Sequence, residues 1–453
     1  MFENIKTDGN FTTFTITPFH VTYANTLRRV ILTGVETVAF RADMKEDGST
    51  THVNVTKNDT AMTNEMLADR IGLLPINIKD PLHWRADKYK FKLDVTNDTD
   101  KSLDVVSSDF KVYENRDDSD EPVQVPTDYF FPPNAITKNT HLIAILRPKT
   151  IGSEIGESIQ LDAVATIGNG RQHARFIPVS QCSYIYSLDD DAEKIKQYFK
   201  KWLNNQKKVN VDTASEDVLK VYEREFNTME IQRCFKVNDK NEPYSFNFTI
   251  ETVGILNVPY IVSRACDVIH DMCNKYATIN YGDLPKEVTI QPADGRIIGY
   301  DVVFTGQDHT LGNLFQTWIV DNMIEKKHES GINVTYAGYK VPHPLYDEMY
   351  VRIAVEGGNE ETIREVLSIA SKGCMEIFAN LKRNWEAKVG ISIKMPTSEV
   401  KVRPQASKVD TTASRVQPTA PVTASKREEP IKKLSSAITA FESDDDEVDS
   451  IDT

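Results

Sequence analysis

Cysteine is scarce in this chain: five residues among 453, Cys182, Cys234, Cys266, Cys273 and Cys374, with no C-x-x-C spacing anywhere. Zinc sites and disulfide frameworks need closely spaced thiols, so these five read as isolated buried thiols. Positive charge is short as well, since 53 Lys and Arg face 67 Asp and Glu and leave a formal net charge of −14. A dedicated nucleic-acid grip needs a basic face, so direct sequence-specific contact with DNA is not expected. No apolar run of about 20 residues is present, which gives no expectation of a membrane span. The start, Met1-Phe2-Glu3-Asn4-Ile5-Lys6, lacks the charged and apolar regions of a secretory signal, so the chain is expected to stay inside the cell.

Catalytic signatures are missing too. The sequence has no Gly-x-x-x-x-Gly-Lys phosphate loop, no Gly-x-Ser-x-Gly elbow and no His-Glu-x-x-His pair. The nine histidines are dispersed and the carboxylates are spaced like solvated surfaces, so neither a metal site nor a cofactor is expected. Gly168-Asn169-Gly170 reads as a hairpin turn between Ile167 and a following strand. These residues describe a non-catalytic interaction protein.

What is present is a repeated strand-then-helix unit. Asp308 to Met323 places Leu311, Leu314, Phe315, Trp318, Ile319 and Met323 at helical spacing, with Asp308 or Thr310 able to cap the first turn. A weaker twin runs from Tyr23 to Glu36, with Leu27, Val30, Ile31 and Val35 on its apolar face. Both helices are expected to start on a Thr-Leu pair, Thr26-Leu27 and Thr310-Leu311, after strand-like runs at Phe11 to Phe19 and Tyr300 to Thr305. Such a helix can lie on its own sheet or on a partner. Gly312 costs about 1 kcal/mol against Ala in a helix and points to another backbone approaching closely.

Between the twins, residues 46–172 form short alternating segments with turn-rich breaks and read as an inserted, mostly β domain. Within it Thr63 to Pro75 reads as a short capped helix. A helical stretch follows from Asp189 to Thr228, with Ile195, Tyr198, Phe199, Trp202 and Leu203 along one face. The strand Tyr244 to Val253 and the long helix Pro259 to Tyr276 close the first half. A connection of about ten residues, 278–287, reaches little more than about 30 Å, so the halves must be neighbours. The second half ends in a strand, Glu348 to Val355, and a helix from Asn359 to Lys388. Past Pro396 aromatic and aliphatic residues give way to Ser, Thr, Pro, Lys and Ala, and the chain closes on an acidic run from Glu442 to Glu447; disorder is expected there. Arg28 and Arg29 are adjacent on an otherwise apolar helix, which suits either solvated surface charge or a bidentate anchor for a partner's acidic loop.

Asn25-Thr26-Leu27-Arg28-Arg29-Val30, Asn64-Glu65-Met66-Leu67-Ala68-Asp69-Arg70-Ile71-Gly72-Leu73-Leu74-Pro75 and His173-Ala174-Arg175-Phe176-Ile177-Pro178-Val179 resemble the third-largest subunit of eukaryotic RNA polymerase II and the bacterial alpha subunit. Asp308-His309-Thr310-Leu311-Gly312-Asn313-Leu314 with Ala337-Gly338-Tyr339-Lys340-Val341-Pro342-His343-Pro344-Leu345 resembles the eleventh subunit of the same enzyme. Together the two matches cover most of residues 1–390, in the manner of the fused subunit of large cytoplasmic DNA viruses.

The resemblance implies an α+β fold of two alpha-subunit-like dimerisation units paired within one chain, with a mostly-β insertion and a disordered C-terminal tail. The expected boundaries are 1–45 and 173–280 for the first unit, 46–172 for the insertion, 278–287 for the linker, 288–395 for the second unit and 396–453 for the tail. It implies pairing through Leu27, Val30, Ile31, Leu311, Gly312, Leu314, Phe315 and Trp318. It also implies contacts to the large subunits through Arg28, Arg29, Asn25, Arg70, His309, Lys340 and His343. Its partners would be the largest and second-largest polymerase subunits and a small tenth-subunit-like or other polymerase subunit. The function implied is a non-catalytic assembly platform, the alternative being a free-standing scaffold or regulator. A viral chain of this kind would work in the host cytoplasm, the viral factory and the virion, with the nucleus left open. One departure stands out: many third-subunit proteins carry a cysteine-rich zinc loop in the insertion, and residues 46–172 contain no cysteine, so no zinc is expected there.

Overall fold

The computed structural model describes residues 1–390 apart from 47–49, 117–120, 150–151, 153–155, 211–213 and 296; the tail expected to be disordered, 396–453, lies outside the described residues. The chain opens on a hairpin of β1 (Phe2–Asp8) and β2 (Phe11–Ile16), whose two-residue turn puts Gly9 at φ +56°, a conformation glycine adopts without steric cost. Helix α1 (Val21–Thr33) follows, capped by His20, which accepts a bond from the Thr22 amide at 3.1 Å.

Next come β3 (Glu36–Phe40), β4 (Val53–Asn58) and α2 (Asn64–Gly72), the last capped by Thr63. Seven strands succeed them: β5 (Tyr89–Thr96), β6 (Leu103–Val106), β7 (Lys111–Glu114), β8 (Val123–Val125), β9 (Leu142–Leu146), β10 (Ser158–Ala163) and β11 (Ala165–Asn169). The chain returns through β12 (Val179–Tyr186), runs out into α3 (Ala192–Trp202) and α4 (Glu216–Glu225), and comes back as β13 (Phe246–Thr252) and α5 (Val258–Asn274). The remainder is β14 (Val288–Pro292), β15 (Tyr300–Thr305), α6 (His309–Ile319), β16 (Val334–Lys340), β17 (Glu348–Val355) and α7 (Glu360–Val389).

Two four-stranded antiparallel sheets share one connectivity. The first is ordered β1-β2-β13-β12 and the second β14-β15-β17-β16. In each, a hairpin, a helix, two further strands and a long helix follow in that order, and the fourth strand inserts between the second and third. The first copy carries two insertions: β3 to β11 between its first helix and third strand, and α3 with α4 between its third and fourth strands.

One hydrophobic core runs through both copies. It joins Phe2, Phe14, Leu27 and Ile269 to Leu311, Phe315, Leu367 and Trp385. Alternation makes this possible: Phe246, Phe248 and Ile250 of β13 point inward while the residues between them are only half-buried. Along α7 the buried residues Ile363, Val366, Leu367, Ala370, Cys374, Phe378, Leu381 and Trp385 fall at three- and four-residue spacing, one continuous stripe. The β insertion has its own core around Phe40, Phe91, Phe110, Phe130 and Phe131, and Val38, Phe40 and Ala42 belong to it. The α3 and α4 hairpin has a third, built on Trp202, Leu203, Phe226 and Cys234.

Four local readings of the sequence need correction. Strand β1 was not foreseen, because a register shift between Glu3 and Lys6, with Asn4 at φ +52°, breaks the two-residue period that marks a strand. Helix α1 starts at Val21, so Thr26-Leu27 lies inside it, not at its start. Gly168 and Asn169 pair with Thr37 and Glu36 as the end of β11, so they are not the turn of a hairpin. At Gly312 the close neighbours are side chains of its own copy: an added Cβ would stand 2.6 Å from the Tyr339 ring and 3.2 Å from the Met349 sulfur. That glycine fits α6 to its own sheet, and no partner backbone is involved.

Candidate assembly interface

The face at which the two copies meet is built from four helices. α1 and α6 touch through a buried hydroxyl pair, Thr317 Oγ1 donating to Thr22 Oγ1 at 3.0 Å. At the open end of the same contact Arg29 reaches across, with Nε donating to Thr310 Oγ1 at 2.8 Å and Nη2 to Asp308 Oδ2 at 3.2 Å. Asp308 is at the same time the cap of α6, accepting from the Thr310 amide at 2.8 Å. Burial works against its charge, but the hydroxyl and amide of Thr310 and the guanidinium groups of Arg29 and Arg171 outweigh it. They hold the carboxyl below its ordinary range.

The more extensive contact is between the long helices α5 and α7. Small polar side chains let them approach: Ser371 donates to the Cys273 carbonyl, and Ser368 donates to the Ala277 carbonyl at 2.6 Å. Farther along, Lys382 Nζ donates to both oxygens of Asp267 at 2.7 Å, and Ser263 donates to Glu386 at 2.7 Å. Trp385 ends the seam, its indole N–H donating to the Pro259 carbonyl at 3.0 Å. Gly373 of α7 leaves room for Trp318 of α6, whose ring atoms lie 2.1 to 2.3 Å from where a Cβ would stand. The connection is fastened as well, since Arg364 of α7 donates to the carbonyls of Ile279 and Gly282.

The residues singled out from sequence therefore fall into separate groups. Leu27, Val30, Ile31, Leu311, Gly312, Leu314, Phe315 and Trp318 are all buried. Arg29, read as a contact to a larger chain, bonds to Asp308 and Thr310 within this one while its side chain stays 34% exposed. Arg28 points elsewhere: its Nε donates to Asn25 Oδ1 at 3.0 Å, and among the described residues no carboxylate pairs with it. It stands beside β12 in an open groove of about 440 Å³ lined by Cys182, Ser183, Tyr184, Ile185, Tyr186 and Gln232. Burial pushes the Cys182 thiol up to about 12, against the opposing charge of Arg28, so this cysteine is an uncharged wall of the groove. Arg70 is exposed on α2 and donates to the Leu142 carbonyl at 3.2 Å. His309, Lys340 and His343 are exposed at the α6 and β16 end of the second copy, where the His309 ring lies 5.8 Å from that of Tyr339.

A family comparison decides what this pair of copies is. Residues 13–273 match the RNA polymerase Rpb3/Rpb11 dimerisation domain, and residues 300–384 match a second model of that dimerisation domain. The chain belongs to this family. Curated relatives of this Rpb3/Rpb11-family chain include the DNA-directed RNA polymerase subunit Rpo3 of Methanosphaera stadtmanae, 26% identical over 264 residues, which are 55% of this chain and 87% of the relative. Subunit 3 of RNA polymerases II, IV and V of Arabidopsis thaliana is 24% identical over 297 residues, 57% of this chain and 85% of the relative. The human subunit RPAC1 of RNA polymerases I and III is 26% identical over 305 residues, 60% of this chain and 82% of the relative.

Two features of this family member had no usable sequence signal as contacts. The Arg175 side chain is almost fully buried and ties the return of the β insertion to its beginning: Nη1 donates to the Phe40 carbonyl at 2.9 Å, and Nη2 lies 3.5 Å from Asp43 and 3.6 Å from Asp69. Gly72 makes room for it, since a Cβ there would stand 2.5 Å from the guanidinium. Arg264 of α5 binds Glu36 through Nε and Nη2 at 3.0 and 2.8 Å, the bidentate geometry that suits Arg to carboxylate. A lone arginine in an amphipathic helix does not announce such a partner.

Among the described residues no group of three or more His, Cys, Asp or Glu is placed to hold a metal ion. No described helix is long and apolar enough to cross a membrane.

Proposed function

We propose that this chain is a non-catalytic assembly-platform subunit of a multisubunit DNA-directed RNA polymerase, a pseudo-heterodimer whose two dimerisation domains are joined in one polypeptide. The observation that carries this reading is the single core shared by two copies of one topology, each matched by an Rpb3/Rpb11 dimerisation model. Fusion makes pairing intramolecular, so dilution does not separate the copies, and a rigid surface spanning both is always present. On this reading transcript synthesis and its metal ions belong to other chains, and the site of action is intracellular.

The partners are the two largest polymerase subunits, with a small tenth-subunit-like chain beside them. Arg28 with Asn25 and Arg70 on the first domain, and His309, Lys340 and His343 on the second, are their contact residues; the exposure of Arg70, His309, Lys340 and His343 supports this assignment. Arg29 is reassigned to pairing. Purification of the tagged full chain from its native source tests the reading. It should bring down two far larger chains in one-to-one ratio, and recovery of the chain alone, or with only traces of them, would end it. Arg28→Glu should leave the melting temperature of the isolated chain unchanged while lowering recovery of the large chains at least tenfold.

A further inference from the structure

Each of the two sheets has two outer strands, and an outer strand presents unpaired N–H and C=O groups that invite another chain unless something blunts them. Three of the four are blunted. β1 carries the register shift at Glu3 and Lys6, β14 is only five residues long and ends on Pro292, and β16 shifts register between Val334 and Tyr336 and ends on Lys340. β12 is different. Its register also shifts at its start, between Val179 and Gln181, but its eight residues, Val-Ser-Gln-Cys-Ser-Tyr-Ile-Tyr, include no charge, no proline and no glycine, and its pairing with β13 is unbroken from Gln181 to Tyr186.

The direction of its free groups follows from the ladder. The Ser187 amide donates to the Ser245 carbonyl at 2.9 Å, and in an antiparallel pair successive residues turn their backbone groups to alternate sides. Ser183 and Ile185 therefore bond inward to β13, while Cys182, Tyr184 and Tyr186 turn their N–H and C=O outward. Among the described residues no strand accepts them. The groove beside Arg28 is lined by five consecutive residues, Cys182 to Tyr186. Neighbouring side chains of a strand point to opposite faces, so a groove that touches all five runs along the strand's edge. Arg28 stands at that edge with no carboxylate partner among the described residues, and Ile185 is 57% exposed.

We propose that β12 is a strand-addition site: an extended segment of another polymerase subunit pairs with its outer edge and sets an acidic side chain against Arg28. Main-chain bonds to Tyr184 and Tyr186 give the binding its register, and the planar fork of Arg28 selects the carboxylate. A charge-free eight-residue edge left open is an aggregation hazard, and a partner strand removes it. The inference rests on the assembly reading above and names one contact within it.

Hydrogen exchange read by mass spectrometry, on the free full chain and on the purified complex, tests it. In the free chain the amides of Tyr184 and Tyr186 should exchange fast, and in the complex at least tenfold more slowly. Arg28→Glu should return fast exchange to residues 182–186 in any complex that still forms, whereas Arg28→Lys should keep it slow. A complex that forms with these amides still exchanging as in the free chain overturns strand addition and leaves the assembly reading standing. Slow exchange already in the free chain would mean that this chain or a second copy covers its own edge, which also overturns the proposal. If no complex is obtained, the assembly reading fails and strand addition fails with it.

Discussion

The indole of Trp385, near the end of the last described helix, lies 5.0 Å centroid to centroid from the ring of Phe14 on the second strand. Phe2 closes the same cluster at 4.9 Å from that indole. The final helix of the second dimerisation domain is thus packed into the opening hairpin of the first, and the core between the domains is one object.

Trp385→Ala should therefore cost about 3–5 kcal/mol, the range for removing a large buried aromatic side chain. Urea unfolding of the full chain measures it. A loss below about 1 kcal/mol would mean that the hairpin and α7 do not depend on each other.

Gly373→Ala separates helix propensity from packing. Propensity alone favours Ala by about 1 kcal/mol. The Trp318 ring occupies the space of the new Cβ, so the substitution should instead destabilise by about 1–3 kcal/mol. A rise in the melting temperature would show that α6 and α7 are not in the contact described.

Arg29 and Asp308 form a clasp across the two copies, and its pH dependence has a definite sign. The folded carboxyl is held below its ordinary range, so its contribution is fully present above the unfolded value of about 3.9 and is lost as pH falls through the folded value. Asp308→Asn should be less stable than the native chain at pH 7, and the gap should close below about pH 4. The side chains are 34% and 42% exposed, so solvent screening keeps the coupling in a double-mutant cycle near about 0.5 kcal/mol. A gap that widens on acidification would contradict the pairing.

Cutting the connection should not separate the domains. With a protease site inserted between Pro285 and Lys286, the two fragments should co-elute at nanomolar concentration, because the shared core and the Lys382 to Asp267 bridge lie outside the cut. Fragments that elute apart would show that the peptide link itself holds the pair together.

Much of the fold can be read from residue spacing. The strand Glu348–Val355 and the helices from Asp308 and Asn359 carry strong periodic patterns and caps, so local chemistry is enough to place them. β1 was hidden because a bulge destroys the period, and the true start of α1 because His20 is an uncommon cap. Among the candidate contacts, the apolar residues followed from periodicity, since burying one stripe is what an amphipathic helix requires. Arg28 and Arg29 are identical neighbours in the sequence, and nothing in their order says that one bridges to Asp308 while the other faces an open strand edge.

The sequence by itself determined two strand-and-helix copies, the apolar faces that needed covering, and a β insertion without the thiols for a zinc loop. Only the tertiary structure decided that α5 and α7 make the main seam, that Gly312 fits α6 to its own sheet while Gly373 admits Trp318 of α6 within the same domain, and that among the described residues no strand covers the outer edge of β12. The reason is physical: periodicity tells a segment which face to bury, whereas the identity of the covering surface depends on atoms hundreds of residues away.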